Sequence, residues 1–227
     1  MILNDKLYRF FIAEARKVQV DSLCLGLGYT AVVTSDGGVG LAYTYFEDKK
    51  SCMVLNNSLD YEGRAAVELL EKIKSDSPIE RSMALALVNA LNHQKALLLP
   101  EDENNEIMFE IFKITKGTKV AMVGYFGPLI KRFEQKGAAL EVLDRSRELG
   151  RVGDFYKKLK NWADVLFLTS TSILNNSTEE ILANAHARLK TIMLGPSTPM
   201  VKQAFEHLPV HMLASISPMK RSTSPRR

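Results

Sequence analysis

The 227-residue sequence predicts an α/β protein in two units, an α+β half followed by a parallel-sheet half. Three observations carry this. Between residues 19 and 91 strand-like runs come first and helix-like runs follow, the order of an α+β domain. From residue 119 onward short apolar runs alternate with helix-like segments, which is how βαβ units and a parallel sheet look in one dimension. Between the two halves lies EDENNE at 101–106, acidic and polar, the best linker in the chain. The expected boundaries are 1–113 for the α+β domain, 114–215 for the parallel-sheet domain and 216–227 for a basic disordered tail.

The first half opens with a helical pattern over 5–17, where Leu7, Phe10, Phe11 and Val18 fall near one face. VDSLCLGLG, TAVVTS and VGLAYTYF read as three strands. Asp36-Gly37-Gly38 separates the second from the third and signals a hairpin turn. Two helices follow. The first carries a stripe of Ala66, Val67, Leu70 and Ile73. The second carries Ile79, Met83, Leu87, Ala90 and Leu91 and is opened by Ser77-Pro78 as cap and first position.

In the second half the apolar runs are KVAMV at 119–123, LEVL at 140–143, DVLFL at 164–168, TIML at 191–194 and VHML at 210–213. Helix-like segments lie near 128–136, 152–161, 178–189 and 200–206. Five such strands in about 100 residues make a compact Rossmann-like domain. Ligands of open parallel sheets sit outside the carboxyl ends of the strands, so the loops there matter most.

Composition narrows the function classes. Hydrophobic residues are 46% and charged residues 25%, an ordinary globular mixture. The formal charge of +4 equals the contribution of Lys220, Arg221, Arg226 and Arg227 in the tail, so residues 1–219 sum to zero. A neutral body gives no footprint for nucleic acid. MILNDKLYRFFIAEARK mixes charge into every turn and lacks the apolar core of a signal peptide. MALALVNAL at 83–91 is half the length a membrane span needs. Cys24 and Cys52 are too few for a disulfide framework. The expectation is a soluble cytoplasmic protein with reduced thiols and no nucleic-acid or membrane partner.

The loops after four strands are unusual. In VAMVGYFGPLIKRF, Gly124 and Gly127 follow the strand and Pro128 suits the first position of a helix. Tyr125 and Phe126 stand where a dinucleotide loop keeps small residues, which argues against a standard nicotinamide-dinucleotide site. The segment reads equally as a ligand loop or as a tight turn with two packed aromatics. Asp144 ends the next strand, where Rossmann-type domains bind a ribose hydroxyl. Arg145 follows it at once, so a local ion pair is the other reading. After the third strand, eight of the ten residues from Thr169 to Thr178 carry a hydroxyl or carboxamide. One helix cap does not require eight. The fourth strand ends in Gly195-Pro196-Ser197-Thr198-Pro199. Convergence of these polar loops on one crevice is the argument for a small-molecule site.

Metal and hydrolase signatures are weak. His207 and His211 alone have ligand-like spacing, and Pro209 lies between them. His186 is expected at a helix end or in solvent, and Cys24, in an apolar strand, in the core. No G-x-S-x-G elbow or Walker loop occurs. No metal-ligand set is therefore assigned.

VAMVGYFGPLIKRF, EVLDR, TSTSILNNST and LGPSTPM, in that order, resemble the heavy-metal chelation domain family, formerly a domain of unknown function. GLGYTAVVTSDGGVGLAYT and ALALVNAL resemble its companion N-terminal domain, which has an enolase-N-terminal-like fold. The resemblance covers about residues 15–214. It implies an enolase-N-terminal-like α+β domain packed on the Rossmann-like domain, with a cleft between them and some likeness to methyltransferase-type domains. Carried over residue by residue, it points to Gly124, Tyr125 and Phe126, to Asp144 and Arg145, to Thr169, Thr171 and Asn175, and to Gly195, Pro196, Ser197 and Thr198. From the first half it adds Gly28, Thr30 and Asn89. The third family motif reads T-G-T-T-x-x-N-G-T, and here Ser170 and Asn176 occupy the glycine places. Asn tolerates positive φ, so Asn176 is expected to keep the turn. Ser170 places a side chain where a ligand would approach closely.

What this implies is a small-molecule-binding protein or enzyme with an interdomain cleft. The ligand or cofactor would be a pterin-like or adenosyl compound, or a divalent metal carried by a chelator. Asp144 would accept from a ribose hydroxyl or ring N–H, Tyr125 or Phe126 would stack, and the hydroxyl and carboxamide groups would fix orientation. Two alternatives stand beside this: a non-catalytic metal-handling protein, and a catalytically silent interaction protein on an enzyme-derived fold. A homo-oligomer is compatible with all three.

Overall fold

A computed structural model describes residues 3–46, 60–102 and 106–215. Cys52, the centre of the 101–106 run and the basic tail lie outside the described residues. Helix α1 (Leu3–Ala15) buries Leu3, Leu7, Phe11 and Ala15, one every four residues. Strands β1 (Val20–Leu25), β2 (Tyr29–Thr34) and β3 (Val39–Tyr43) form an antiparallel meander in the order β1-β2-β3. At the β2–β3 turn the Thr34 hydroxyl donates to Asp36 Oδ1 at 2.6 Å, and Gly37 takes φ +83°. Helix α2 (Ala66–Leu70) runs into a 3-10 turn (Glu71–Lys74), and α3 (Pro78–Leu91) follows. The Ser77 hydroxyl accepts the Glu80 N–H at 3.5 Å, the cap expected ahead of Pro78.

Alternation sorts the first sheet into two faces. Thr30, Val32, Thr34, Gly40, Ala42 and Thr44 are buried, on the side where α3 packs. Tyr29, Ala31, Val33, Val39, Leu41 and Tyr43 lie on the more open side. The approach of α3 is set by Gly40. A Cβ there would overlap Ala86 O and Ala90 N and sit 2.7 Å from Asn89 C. Only a residue without a side chain lets the helix backbone lie this close.

Cys24 corrects the sequence reading. It is exposed, because β1 is an edge strand and Cys24 pairs with Ala31 on the open side. The other edge strand, β3, is sealed by side chains. His93 Nδ1 accepts the Val39 N–H at 3.3 Å. Asn89 Nδ2 donates to Leu41 O at 2.7 Å. Ser197 Oγ accepts the Tyr43 N–H at 2.7 Å, and Ser82 Oγ accepts the Tyr45 N–H at 3.0 Å just beyond the strand. An unpaired edge is thereby satisfied without another strand.

A short helix α4 (His93–Ala96) leads out of the first domain. Helix α5 (Glu106–Ile111) was not expected from the sequence. Its Met108 and Phe109 pack with Val120, Phe133 and Phe167, so it belongs to the core of the second domain, ahead of the expected boundary at 113/114. Five parallel strands follow: β4 (Lys119–Val123), β5 (Ala139–Leu143), β6 (Val165–Thr169), β7 (Lys190–Leu194) and β8 (Met212–Ala214). Their spatial order is β5-β4-β6-β7-β8, with every pair parallel. The helices between them are α6 (Gly127–Lys136), α7 (Val152–Asn161), α8 (Thr171–Leu174) and α9 (Thr178–Ala183), with a 3-10 turn at Lys202–Phe205. Helix α8 is an extra turn inside the polar loop. Helix α9 stops at Ala183, short of the expected 189.

Period-2 burial again assigns the faces. Val120, Met122, Val165, Phe167, Ile192 and Leu194 pack with α5 and α6. Ala121, Leu166, Leu168 and Met193 face the other way and join one continuous core with Leu7, Phe11, Leu70 and Leu87 of the first domain. The two domains are therefore united by buried apolar surface as well as by polar contacts. No helix among the described residues is long and apolar enough to cross a membrane.

Candidate functional site

Counted within its own domain, the second sheet has the order 2-1-3-4-5, and its topological switch lies between β4 and β6. The segments singled out in the sequence all fall at the carboxyl edge of this sheet. Gly124–Phe126 follows β4, Asp144–Arg145 follows β5, Thr169–Asn175 follows β6 and Gly195–Thr198 follows β7.

Gly124 takes φ +90°, and a Cβ there would meet Thr169 Cβ at 3.0 Å. A side chain is excluded by backbone conformation and by space alike. The Thr169 and Thr171 hydroxyls lie 3.0 Å apart, and the Thr171 N–H donates to Thr169 Oγ1 at 3.3 Å. One turn of α8 later, the Asn175 amide Nδ2 donates to the Tyr45 hydroxyl at 3.2 Å. Tyr45 packs edge-on against Tyr43 at 6.5 Å, and Tyr43 against Tyr29 at 6.2 Å. A contiguous path thus leads from the sheet switch, across the domain seam, to three tyrosines of the first domain. Tyr29, at its outer end, is 51% exposed.

At the other end Tyr125 is 44% exposed, and Phe126 is half-buried. The Arg147 guanidinium lies over the Tyr125 ring at 4.4 Å. Asp144 Oδ1 accepts from Ser146 Oγ at 2.6 Å and from the Arg147 N–H at 3.1 Å. Asp144 caps its own 3-10 turn, Arg145–Arg147, rather than simply facing Arg145. Beside this turn the Tyr156 hydroxyl donates to Glu180 Oε1 at 2.9 Å. Burial, and then that hydrogen bond, push the phenol pKa up to about 12.

Several candidates serve the seam itself. Thr30 is fully buried and shares a 2.9 Å hydrogen bond with Thr44, on the face away from the tyrosines. Asn89 Nδ2 reaches both Leu41 O and, at 3.4 Å, Pro196 O, tying β3 to the β7 loop. Ser197 is spent on the Tyr43 amide, and Thr198 is fully buried, its hydroxyl without a partner among the described residues. Gly28 is exposed, with open space around it. Gly195 takes φ +124°, and Ser170 Oγ lies 2.8 Å from where its Cβ would be. Ser170 is 1% exposed and its hydroxyl has no partner among the described residues, so its side chain fills the space between the β6 and β7 ends. Asn176 holds φ +57°, as its glycine-like place in the motif requires.

Three contributors were missed. Arg81, buried in α3, donates from Nε to Leu174 O at 2.6 Å and from an Nη to Ser75 O at 2.5 Å, bracing the end of α8 from the first domain. Its signal was an arginine, beside Glu80, at the head of the apolar helix 78–91. Tyr43 and Tyr45 could have been found by their two-residue spacing on one strand face.

Soft-metal donors do not converge. No group of three His, Cys, Asp or Glu is found among the described residues. His211 Nδ1 accepts the Thr191 N–H at 3.1 Å. His186, expected at a helix end or in solvent, instead bridges Ala163 O at 2.9 Å and the Arg188 N–H at 3.2 Å. The described residues do not bring together the donors of a heavy-metal centre held by protein ligands alone.

The architecture is a two-domain α/β class in which an α+β domain packs against a flavodoxin-like parallel sheet at its carboxyl edge. The chain belongs to the DUF364 family, described as "Putative heavy-metal chelation", whose profile matches residues 107–224, just over half of it. The DUF4213 profile, with the same description, matches residues 8–92. No curated protein matches the chain. Two crystal structures of DUF364-family proteins of unknown function share the fold. The one from Pyrococcus horikoshii superposes with a TM-score of 0.76 at 19% identity, covering 94% of this chain and 87% of that one. The one from Desulfitobacterium hafniense DCB-2 gives 0.69 at 21% identity, covering 88% and 82%.

Proposed function

We propose that this protein binds a small polar ring compound at the carboxyl edge of the parallel sheet, beside the seam with the first domain. The observation that carries the reading is the contiguous path Gly124–Thr169–Thr171–Asn175–Tyr45–Tyr43, which joins the topological switch to an aromatic ladder. Gly124 admits the ligand to the backbone of β4. Tyr125, exposed and held by Arg147, supplies a stacking face. The paired hydroxyls of Thr169 and Thr171 orient polar ring edges. Asp144 contributes its Oδ2, since Oδ1 is engaged in the turn. Asn89 and Ser197 act behind this surface, holding the domains in register. The ligand class is a pterin-like or adenosyl compound, or a divalent metal delivered by such a chelator, which would need no protein ligands of its own.

The test is a thermal-shift titration with pterins, adenosyl compounds and divalent cations, singly and together. A ligand of the native state at 100 times its Kd stabilises by about 2.7 kcal/mol, a rise in Tm of several degrees. Unchanged Tm across the whole panel overturns the reading.

A second reading is a catalytically silent interaction protein. It draws on the hydroxyls and carboxamides spent on domain packing, namely Ser197 on Tyr43, Asn175 on Tyr45 and Asn89 on Pro196. It predicts a silent ligand panel and a defined complex with a second protein or a second copy.

A further inference from the structure

A cavity of about 100 Å3 lies between α1 and the α8–α9 connection. It is lined by Leu3, Asn4, Ile173, Asn176, Thr178 and Glu179. Asn4 Nδ2 donates to Asn176 Oδ1 at 2.9 Å. Asn4 is 4% exposed, and its Oδ1 is buried with no hydrogen-bond partner among the described residues. Exchanging O and N on Asn4 does not relieve this. Asn176 would then have to turn as well, and Asn4 Nδ2 would become the orphan. Glu179 Oε1 accepts the Leu3 N–H at 2.6 Å, which leaves its second oxygen to the cavity. Thr178 Oγ1 is paired with Ser172 Oγ at 2.8 Å.

With Asn4 Nδ2 donating to Asn176, the wall offers acceptors: two amide oxygens and one carboxylate. Whatever satisfies Asn4 Oδ1 must donate a hydrogen bond or carry positive charge. We propose that this cavity binds a compact monovalent cation, one of sodium, potassium or ammonium, which ties α1 of the first domain to α9 of the second. The charge argues for valence one. Glu179 is the single carboxylate lining the cavity, and no cluster of three His, Cys, Asp or Glu exists among the described residues. A divalent ion would keep an uncompensated charge in a half-buried site, whereas one carboxylate neutralises a monovalent ion. Hard oxygen donors without thiolate or imidazole suit these ions. The volume holds an ion with a few waters, a water occupying about 30 Å3 in the liquid. Lys6 and Glu179 both bear on His207, which lies outside the lining.

The experiment is thermal unfolding of the full chain in sodium, potassium, ammonium or tetramethylammonium chloride. Ionic strength is held constant with tetramethylammonium, which is too bulky for the cavity, so general screening is the same throughout. The expected result is a higher Tm in at least one small cation, climbing about 3 °C per tenfold concentration once above Kd. Glu179→Gln keeps the acceptor for Leu3 and removes the charge, and should abolish that difference. Asn176→Gly removes one oxygen donor while keeping the left-handed backbone, and should weaken it at least tenfold in apparent Kd. Equal Tm in all four salts for the wild-type chain overturns the proposal, leaving water as the occupant. So does a salt difference that survives in Glu179→Gln. The salt series contains no ring compound, so either outcome leaves the ligand panel to be decided on its own.

Discussion

The backbone N–H of Tyr43 donates to the buried hydroxyl of Ser197 at 2.7 Å, so the last residue of a strand in one domain is completed by a loop of the other. Ser197→Ala strands that amide at the seam. An unsatisfied buried donor costs about 1–3 kcal/mol. Urea unfolding should show a loss in that range, and Ser197→Thr should recover part of it.

Gly40→Ala should be far more damaging than its size suggests. The added methyl overlaps the backbone of α3 at Ala86 and Ala90, which cannot move without lifting the helix off the sheet. The expected loss is about 3 kcal/mol or more, or insoluble protein. Gly28→Ala is the control. Nothing lies within 4 Å of that position, and its stability should stay within about 0.5 kcal/mol of wild type.

Tyr125→Ala separates binding from folding. The ring is 44% exposed and the Arg147 guanidinium lies over it. Unfolding free energy should fall by no more than about 1 kcal/mol. The Tm rise from any ligand found in the panel should drop sharply. A ligand whose shift is untouched does not stack on Tyr125.

Acid should weaken the fold through His211. Burial, and then Lys190, hold its pKa below the ordinary 6.5, so the folded chain favours the neutral ring. Neutrality also suits the acceptor role of Nδ1 toward the Thr191 amide. The unfolded chain binds the proton more readily. Stability is therefore full above pH 6.5 and declines as pH falls from there through the folded pKa. His207 is shifted in the same direction by burial and Lys6. Tm measured between pH 7.5 and 5 should fall, and His211→Asn, which keeps an acceptor near the Nδ1 position, should flatten the fall.

Local rules carried most of the architecture. Ser77-Pro78 opened α3, Asp36-Gly37-Gly38 closed the hairpin, and the alternation after 119 located all five parallel strands. Asn176 met its positive φ because the motif left no other residue to turn the chain. Other features depended on tertiary neighbours. Helix α5 is only six residues, and Met108 and Phe109 make sense only against Phe133 and Phe167. Cys24 looked buried because edge and central strands share one alternating pattern. The polar run 169–178 was legible as functional in composition but not in use. Ser172 pairs with Thr178 and Asn175 Oδ1 holds the Ser177 hydroxyl, and those partners are chosen by the extra turn of α8. Asp144 illustrates the same gap, since its Oδ1 turned out to shape the chain three residues onward.

The sealing of β3 by Asn89, Ser82, His93 and Ser197 has an evolutionary corollary. Three of those stoppers come from the strand's own half, but the fourth is lent by the other half, along with much of the apolar footing. A gene split at the linker would yield an amino-terminal product with one raw amide and a bare hydrophobic underside. Each piece alone would show that apolar underside to solvent, so the two halves are expected to depend on each other for stability.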